Sequence, residues 1–144
     1  MYFNYKIARA YGRLIRGVFN EPETHLFLKR LLQRIDFQIN FIDVGASVGE
    51  FVIDMAGYDK VNSIFAFEPI YEAYKSIQLS CIINEFKHVK AFNQALSKVS
   101  KPLAFFYNKK SPTGSKIFQE QKSTLEKYTI DSTTLDLHFL NLKV

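Results

Sequence analysis

The residue types and spacing best suited to chemistry lie in one short run, Asp43-Val44-Gly45-Ala46-Ser47-Val48-Gly49, and in an acid about 20 positions further on, Glu68. Glycine at position 45 can take backbone angles closed to other residues and leaves no side chain between main chain and ligand. Glycine at position 49 lets two elements approach closely. Such a run forms a cradle when it lies at the carboxyl end of a strand in an open α/β sheet, where ligands of these folds bind. A carboxylate at the end of the next strand can accept both hydrogen bonds of a ribose diol, so Glu68 implies a nucleoside. A nicotinamide or flavin dinucleotide is one alternative, with a G-x-G-x-x-G fingerprint whose amides face a pyrophosphate. Here the spacing is G-x-x-x-G, and Asp43 just before it would repel a pyrophosphate but suits a cationic ligand bearing an amine. S-adenosylmethionine, with its ribose, sulfonium and amino-acid tail, matches the two carboxylates and the glycines better. A structural α/β turn without a ligand is the remaining alternative.

These groups need elements to hold them in place. Phe41-Ile42-Asp43-Val44 is a short, mostly apolar run that ends in the glycine turn, after which Phe51, Val52, Met55 and Ala56 recur at helical spacing. A second apolar run, Ile64 to Phe67, stops at Glu68-Pro69, and a helical pattern through Tyr74, Ile77, Cys81 and Ile82 follows. His88 to Phe92 reads as a third strand. This β-α-β-α-β alternation predicts a parallel sheet covered by helices, an α/β fold. Leu103 to Tyr107 reads as another strand, 109–116 as a loop with Pro112 and Gly114, and 124–133 as a stretch of weak alternation before a short apolar run. Upstream, Ile7, Tyr11, Leu14, Ile15 and Val18 make one face of an amphipathic helix whose other face carries Lys6, Arg9, Arg13 and Arg16. A second helix starts at Pro22, with Leu26, Phe27, Leu28, Leu31, Leu32 and Ile35 as its apolar residues. Residues 1–38 are thus a helical lead-in and 39–144 the α/β part.

Taken in order, FIDVGASVGEF (41–51), FAFEP (65–69), SCIIN (80–84), FNQALS (92–97) and TTLD (133–136) resemble the FkbM-type methyltransferase family over roughly residues 39–144. The resemblance implies a Rossmann-like class I methyltransferase fold that moves a methyl group from S-adenosylmethionine, usually to a hydroxyl oxygen of a sugar or similar small metabolite. By position it places Asp43, Gly45, Ala46 and Gly49 along the methionine half of that cofactor, with Ser47 in the same turn. Glu68 falls at the ribose with Pro69 beside it, and Asn93, Gln94 and Ala95 fall beside the adenine. Ser47 stands where the family often has Asn, and Ser80 where a helix Asn is common. Family members continue past TTLD into a strand bearing a Lys-x-Asp-x-Glu-Gly type motif and the rest of the sheet, whereas this sequence ends at Leu142-Lys143-Val144. The expectation is therefore the N-terminal half of a methyltransferase sheet, a fragment that binds cofactor weakly or not at all alone and turns nothing over. The alternative is a non-catalytic half-domain that pairs with a second chain to complete the sheet. In either case the first strand is expected to be an unpaired, apolar edge, and no residue is assigned as catalytic.

Composition narrows the remaining classes. With 144 residues, 47% of them apolar and 23% charged, one globular domain is expected rather than a disordered or fibrous chain. The net charge of +5 permits an anionic partner without requiring one. The 14 Phe and 8 Tyr fall mostly at spacings of buried faces, so no nucleic-acid partner is expected. The basic stripe of the leading helix suits weak contact with an anionic membrane surface, although packing that helix on the domain is the commoner outcome. No run reaches the ~18–20 apolar residues that span a bilayer. Cys81, the single cysteine, excludes an internal disulfide framework, fits a reducing compartment such as the cytoplasm, and sits on an apolar helix face. His25, His88 and His138 lack ligand spacing, so no metal site is expected.

Overall fold

Three parallel strands make the frame that presents the glycine turn. The computed structural model describes residues 19–107 and 126–140. The leading helix with its basic stripe, apart from Phe19, and the 109–116 loop lie outside the described residues. Within them the chain runs α1 (Pro22–Arg34), β1 (Ile39–Val44), α2 (Glu50–Met55), β2 (Val61–Phe67), α3 (Tyr71–Ile83), β3 (Val89–Phe92), β4 (Ala95–Leu96), β5 (Leu103–Tyr107), β6 (Glu126–Ile130), β7 (Ser132–Thr133) and α4 (Leu135–Leu140). The first sheet has the order β1-β2-β3 with both pairings parallel, the α/β arrangement that the alternation implies. Two further pairs form, β4 with β7 in parallel and β5 with β6 antiparallel; β5 is the strand expected over 103–107, and β6 and β7 come from the stretch whose alternation is weak in sequence.

Register assigns each side chain to a face. Phe41 lies beside Ile64 and Val89 in register, and Asp43 beside Ala66, which in turn pairs with Ala91. This face packs on the helices, where Leu32, Val52, Met55, Ala56 and Ile77 join Ile64 and Ala66 in the core. The opposite face carries Ile42 beside Phe65, and Val44 beside Phe67 and Phe92. There α4 covers the β2–β3 side, with Phe139 edge-on to Phe65 at 4.9 Å and His138 edge-on to Phe92 at 4.4 Å and to Phe67 at 4.8 Å. Burial holds the His138 imidazole below its ordinary pKa, which suits a neutral ring among phenylalanines. Over β1 the cover stops: Ile42 is 37% and Val44 60% exposed, and β1 pairs on one side alone among the described residues.

The helices bury narrower stripes than their apolar content suggests. In α3 the buried residues are Ala73, Ser76, Ile77 and Ser80, while Ile82 is 71% exposed and Tyr74 and Cys81 are half-buried. Spacings of three, one and three put small residues on the inward stripe, and Ser76 satisfies its hydroxyl by donating to the Glu72 carbonyl at 3.0 Å. Burial pushes the Cys81 thiol up to about 11, so it stays protonated and packs as a small apolar group. In α1, started by Pro22 and closed where Ile35 turns extended, Leu32 is buried and Leu28 and Ile35 pack partly, while Leu26, Phe27 and Leu31 are exposed. A buried histidine occupies the remaining inward position: His25 lies between the rings of Phe19 and Phe51, and its Nδ1 meets Asp54 Oδ2 of α2 at 2.5 Å.

Candidate functional site

The glycine turn is held to the end of β2 by its own backbone. The amides of Gly45 and Ala46 both donate to the Phe67 carbonyl, at 2.9 and 3.1 Å, so the chain leaves β1 folded over the next strand's carboxyl end. Three residues of the turn take left-handed backbone: Gly45 at φ +77°, Ser47 at +52° and Gly49 at +81°. Glycine carries such angles without strain, and Ser47 is the one L-residue of the turn that must bear them. Gly49 then opens α2, its amide donating to Ala46 at 2.8 Å and its carbonyl accepting from Ile53 at 2.9 Å.

Glu68 gathers the neighbouring loops. Its Oε2 accepts from the Ser47 amide at 2.8 Å and its Oε1 from the Ile70 amide at 2.7 Å, so one carboxyl group joins the glycine turn to the loop between β2 and α3. It is only 5% exposed. Burial pushes its carboxyl up to about 7, the charge of Asp43 adds to the rise, and the two amide hydrogen bonds oppose it. Asn93, just past β3, donates its side-chain amide to the carbonyls of Glu68 at 2.9 Å and Pro69 at 3.0 Å. The Glu68 amide donates to Phe92 at 3.0 Å. The ends of all three parallel strands are therefore tied to one another through Glu68 and Asn93.

The residues singled out in the sequence do not all gather in the same way. Asp43, the glycine turn, Glu68 and Asn93 converge at the carboxyl end of the sheet. Pro69 and Gln94 are half-buried beside them in the chain. The Ala46 side chain turns into the helix-side core, leaving its backbone to the turn. Ala95 is buried with Ile130, Ile70 and Leu103 in a second small cluster, and its amide donates to Asp131 at 2.9 Å. Two features had no counterpart in the sequence reading. Ile70 contributes through its backbone, which side-chain type does not disclose. Glu50, directly after the last glycine, is buried and accepts from the Asn20 backbone amide at 2.8 Å and its side chain at 2.7 Å. An acid at the first turn of the crossover helix was the available signal for that tie between lead-in and turn. Among the described residues no group of three or more His, Cys, Asp or Glu is placed to hold a metal ion.

The space around the two glycines tests whether a ligand fits. A Cβ built on Gly45 would meet nothing within 4 Å, so the main chain there borders open space. The Glu68 oxygens accept hydrogen bonds and Asp43 adds negative charge beside them, chemistry compatible with a nucleoside that carries a cation.

The sequence matches no protein-family profile and no curated protein. Among solved structures, part of the backbone is similar to M. jannaschii TYW2 in complex with AdoMet. There the identity is 20%, the match takes in 54% of this chain and 36% of that one, and the TM-score is 0.41. A second similar structure is methyltransferase FkbM from Methylobacillus flagellatus KT, at 15% identity over 72% of this chain and 24% of that one, with a TM-score of 0.47. The chain thus matches about a third of the length of the first and about a quarter of the second.

Proposed function

We propose that this chain carries the cofactor side of an S-adenosylmethionine-dependent methyltransferase of FkbM type, acting in the cytoplasm on a hydroxyl of a sugar or another small metabolite. The observation that carries this is the convergence of an open, glycine-bordered turn with Glu68 at the carboxyl end of a parallel sheet, bridged by the 2.8 Å bond from the Ser47 amide. Bound S-adenosylmethionine would supply a methyl group on a sulfonium. The chain's own residues bind and orient: Gly45 gives the ligand access to the main chain, Asp43 suits its amine, and Glu68 suits the ribose diol. Displacement at such a methyl group depends mainly on positioning, and no residue described here is assigned as a base. Titration calorimetry of the full chain should show saturable, weak binding of S-adenosylmethionine that is lost in Glu68→Ala. Equal binding by that variant, or none by the parent, refutes the proposal.

A second function, pairing with another chain that completes the sheet, is favoured by the exposure of Ile42 and Val44 on edge strand β1. A monodisperse oligomer in solution, broken by Val44→Lys, would support it, and a monomer would remove it.

A further inference from the structure

We propose that Asn20, which precedes the sheet in the chain, is a positioning residue of the nucleoside site: through Glu50 it sets the half of the glycine turn that bonds Glu68. The inference rests on the nucleoside-binding function proposed above and adds a further part of the chain to that same site. The turn is anchored differently along its length. Its first half belongs to the sheet, because the Gly45 and Ala46 amides both donate to the Phe67 carbonyl, at 2.9 and 3.1 Å. Its second half runs into α2 and includes the Ser47 amide that reaches Glu68 Oε2 at 2.8 Å. The bond from the Gly49 amide to the Ala46 carbonyl, at 2.8 Å, closes the turn on itself, and Ile77 packs beside Gly49 from α3. α2 is six residues long, too short to hold its geometry without partners. Whatever fixes the start of α2 therefore fixes where the second half of the turn stands.

The lead-in grips α2 along its length. Glu50, the first residue of α2, accepts from the Asn20 backbone amide at 2.8 Å on Oε1 and from the Asn20 side-chain amide at 2.7 Å on Oε2. The Phe51 ring stacks on His25 with centroids 4.2 Å apart, and His25 stacks in turn on Phe19 at 4.0 Å. One helical turn beyond Glu50, Asp54 meets His25 Nδ1 at 2.5 Å. Glu50 matters most for the site because it adjoins Gly49 and is only 4% exposed. A buried carboxyl group is costly unless its oxygens are hydrogen-bonded, and Asn20 provides a donor to each of them. Without those donors Glu50 turns toward water, and the first turn of α2 shifts together with the adjoining Gly49 and Ser47. The Ser47 amide then no longer meets Glu68 in the arrangement that borders the ligand space.

The test compares the full chain with Asn20→Asp, which sets a second carboxylate against Glu50. The double variant Asn20→Asp/Glu50→Gln keeps one carboxylate and exchanges donor and acceptor across the same pair. Titration calorimetry with S-adenosylmethionine should show affinity falling about tenfold in the single variant and returning to within about twofold of the parent in the double variant. Amide exchange followed by NMR on the ligand-free chain adds a readout that does not depend on binding. In Asn20→Asp the Ser47 and Gly49 amides should lose protection, while those of Gly45, Ala46 and Ile64, bonded to sheet carbonyls, keep theirs. A purely structural role would lower protection across the sheet and leave the affinity of the folded chain unchanged. Should Asn20→Asp fail to fold, Asn20→Ala, which leaves the backbone donor in place, replaces it in both measurements, with an expected loss of about threefold. Binding of equal strength by parent and variants, no recovery in the double variant, or a uniform loss of protection overturns the inference and leaves the proposed function standing. Absence of binding by the parent overturns both.

Discussion

Gly45 and Gly49 open and close the same turn with nearly the same backbone, φ +77° and +81°, yet their surroundings differ. At Gly49 an added Cβ would lie 2.9 Å from Ile77 Cγ1, the side chain that α3 presses against the start of α2. At Gly45 nothing lies within 4 Å. One glycine is required by packing as well as by conformation. The other is required by conformation alone and borders the space that the proposed ligand would fill. Between them Ser47 takes the same left-handed region and spends its amide on Glu68. One strand-to-helix turn thus has a core end and an open end, and a substitution at each should be read by a different measurement.

The largest effect is expected at the core end. Gly49→Ala places a Cβ against Ile77 and strains a left-handed residue, which together should cost about 2–4 kcal/mol of stability in urea unfolding. A loss below about 1 kcal/mol would show that Ile77 gives way easily and that the two ends are alike in packing. At the open end, Gly45→Ala meets no atom and should cost only about 1 kcal/mol of stability, from backbone strain. Its larger consequence should be in calorimetry, where nucleoside affinity is expected to fall at least about tenfold, or ~1.4 kcal/mol. Unchanged affinity would mean that the ligand does not approach Gly45. The smallest effect belongs to the middle: Ser47→Asn, a residue type more tolerant of positive φ, should raise stability by a few tenths of a kcal/mol while keeping the amide bond to Glu68. A loss of stability would show that the Ser47 side chain has a role the backbone geometry does not reveal.

The two sides of the sheet repeat this contrast. Ile64 and Ala66 of β2 face the helices and are fully buried, whereas Ile42 and Val44 of β1 face away and stay exposed beyond the reach of α4. Period-two alternation was invisible here, because both faces of β1 carry apolar residues, and α4 covers one side of the second face only. The same limit applies to α3, where sequence favoured the bulky Tyr74, Ile77, Cys81 and Ile82. The neighbouring stripe of Ala73, Ser76, Ile77 and Ser80 packs inward instead, since small side chains permit close approach to α2 and β3. His25 finds its partner in Asp54, 29 residues away on α2, a pairing that spacing along the chain does not disclose. β6 and β7 form from a stretch whose alternation was weak, each through a partner strand distant in sequence.

The β-α-β-α-β order from β1 to β3, the position of the turn, and the presence of an acid at the end of β2 were determined by the sequence alone, because glycines and hydrophobic period act through the chain's local geometry. Tertiary structure decided how the Glu68 carboxyl group is engaged, which face of each helix is buried, and which of the two glycines borders open space. Those outcomes depend on neighbours brought together from far along the chain, and on backbone amides that every residue type carries alike.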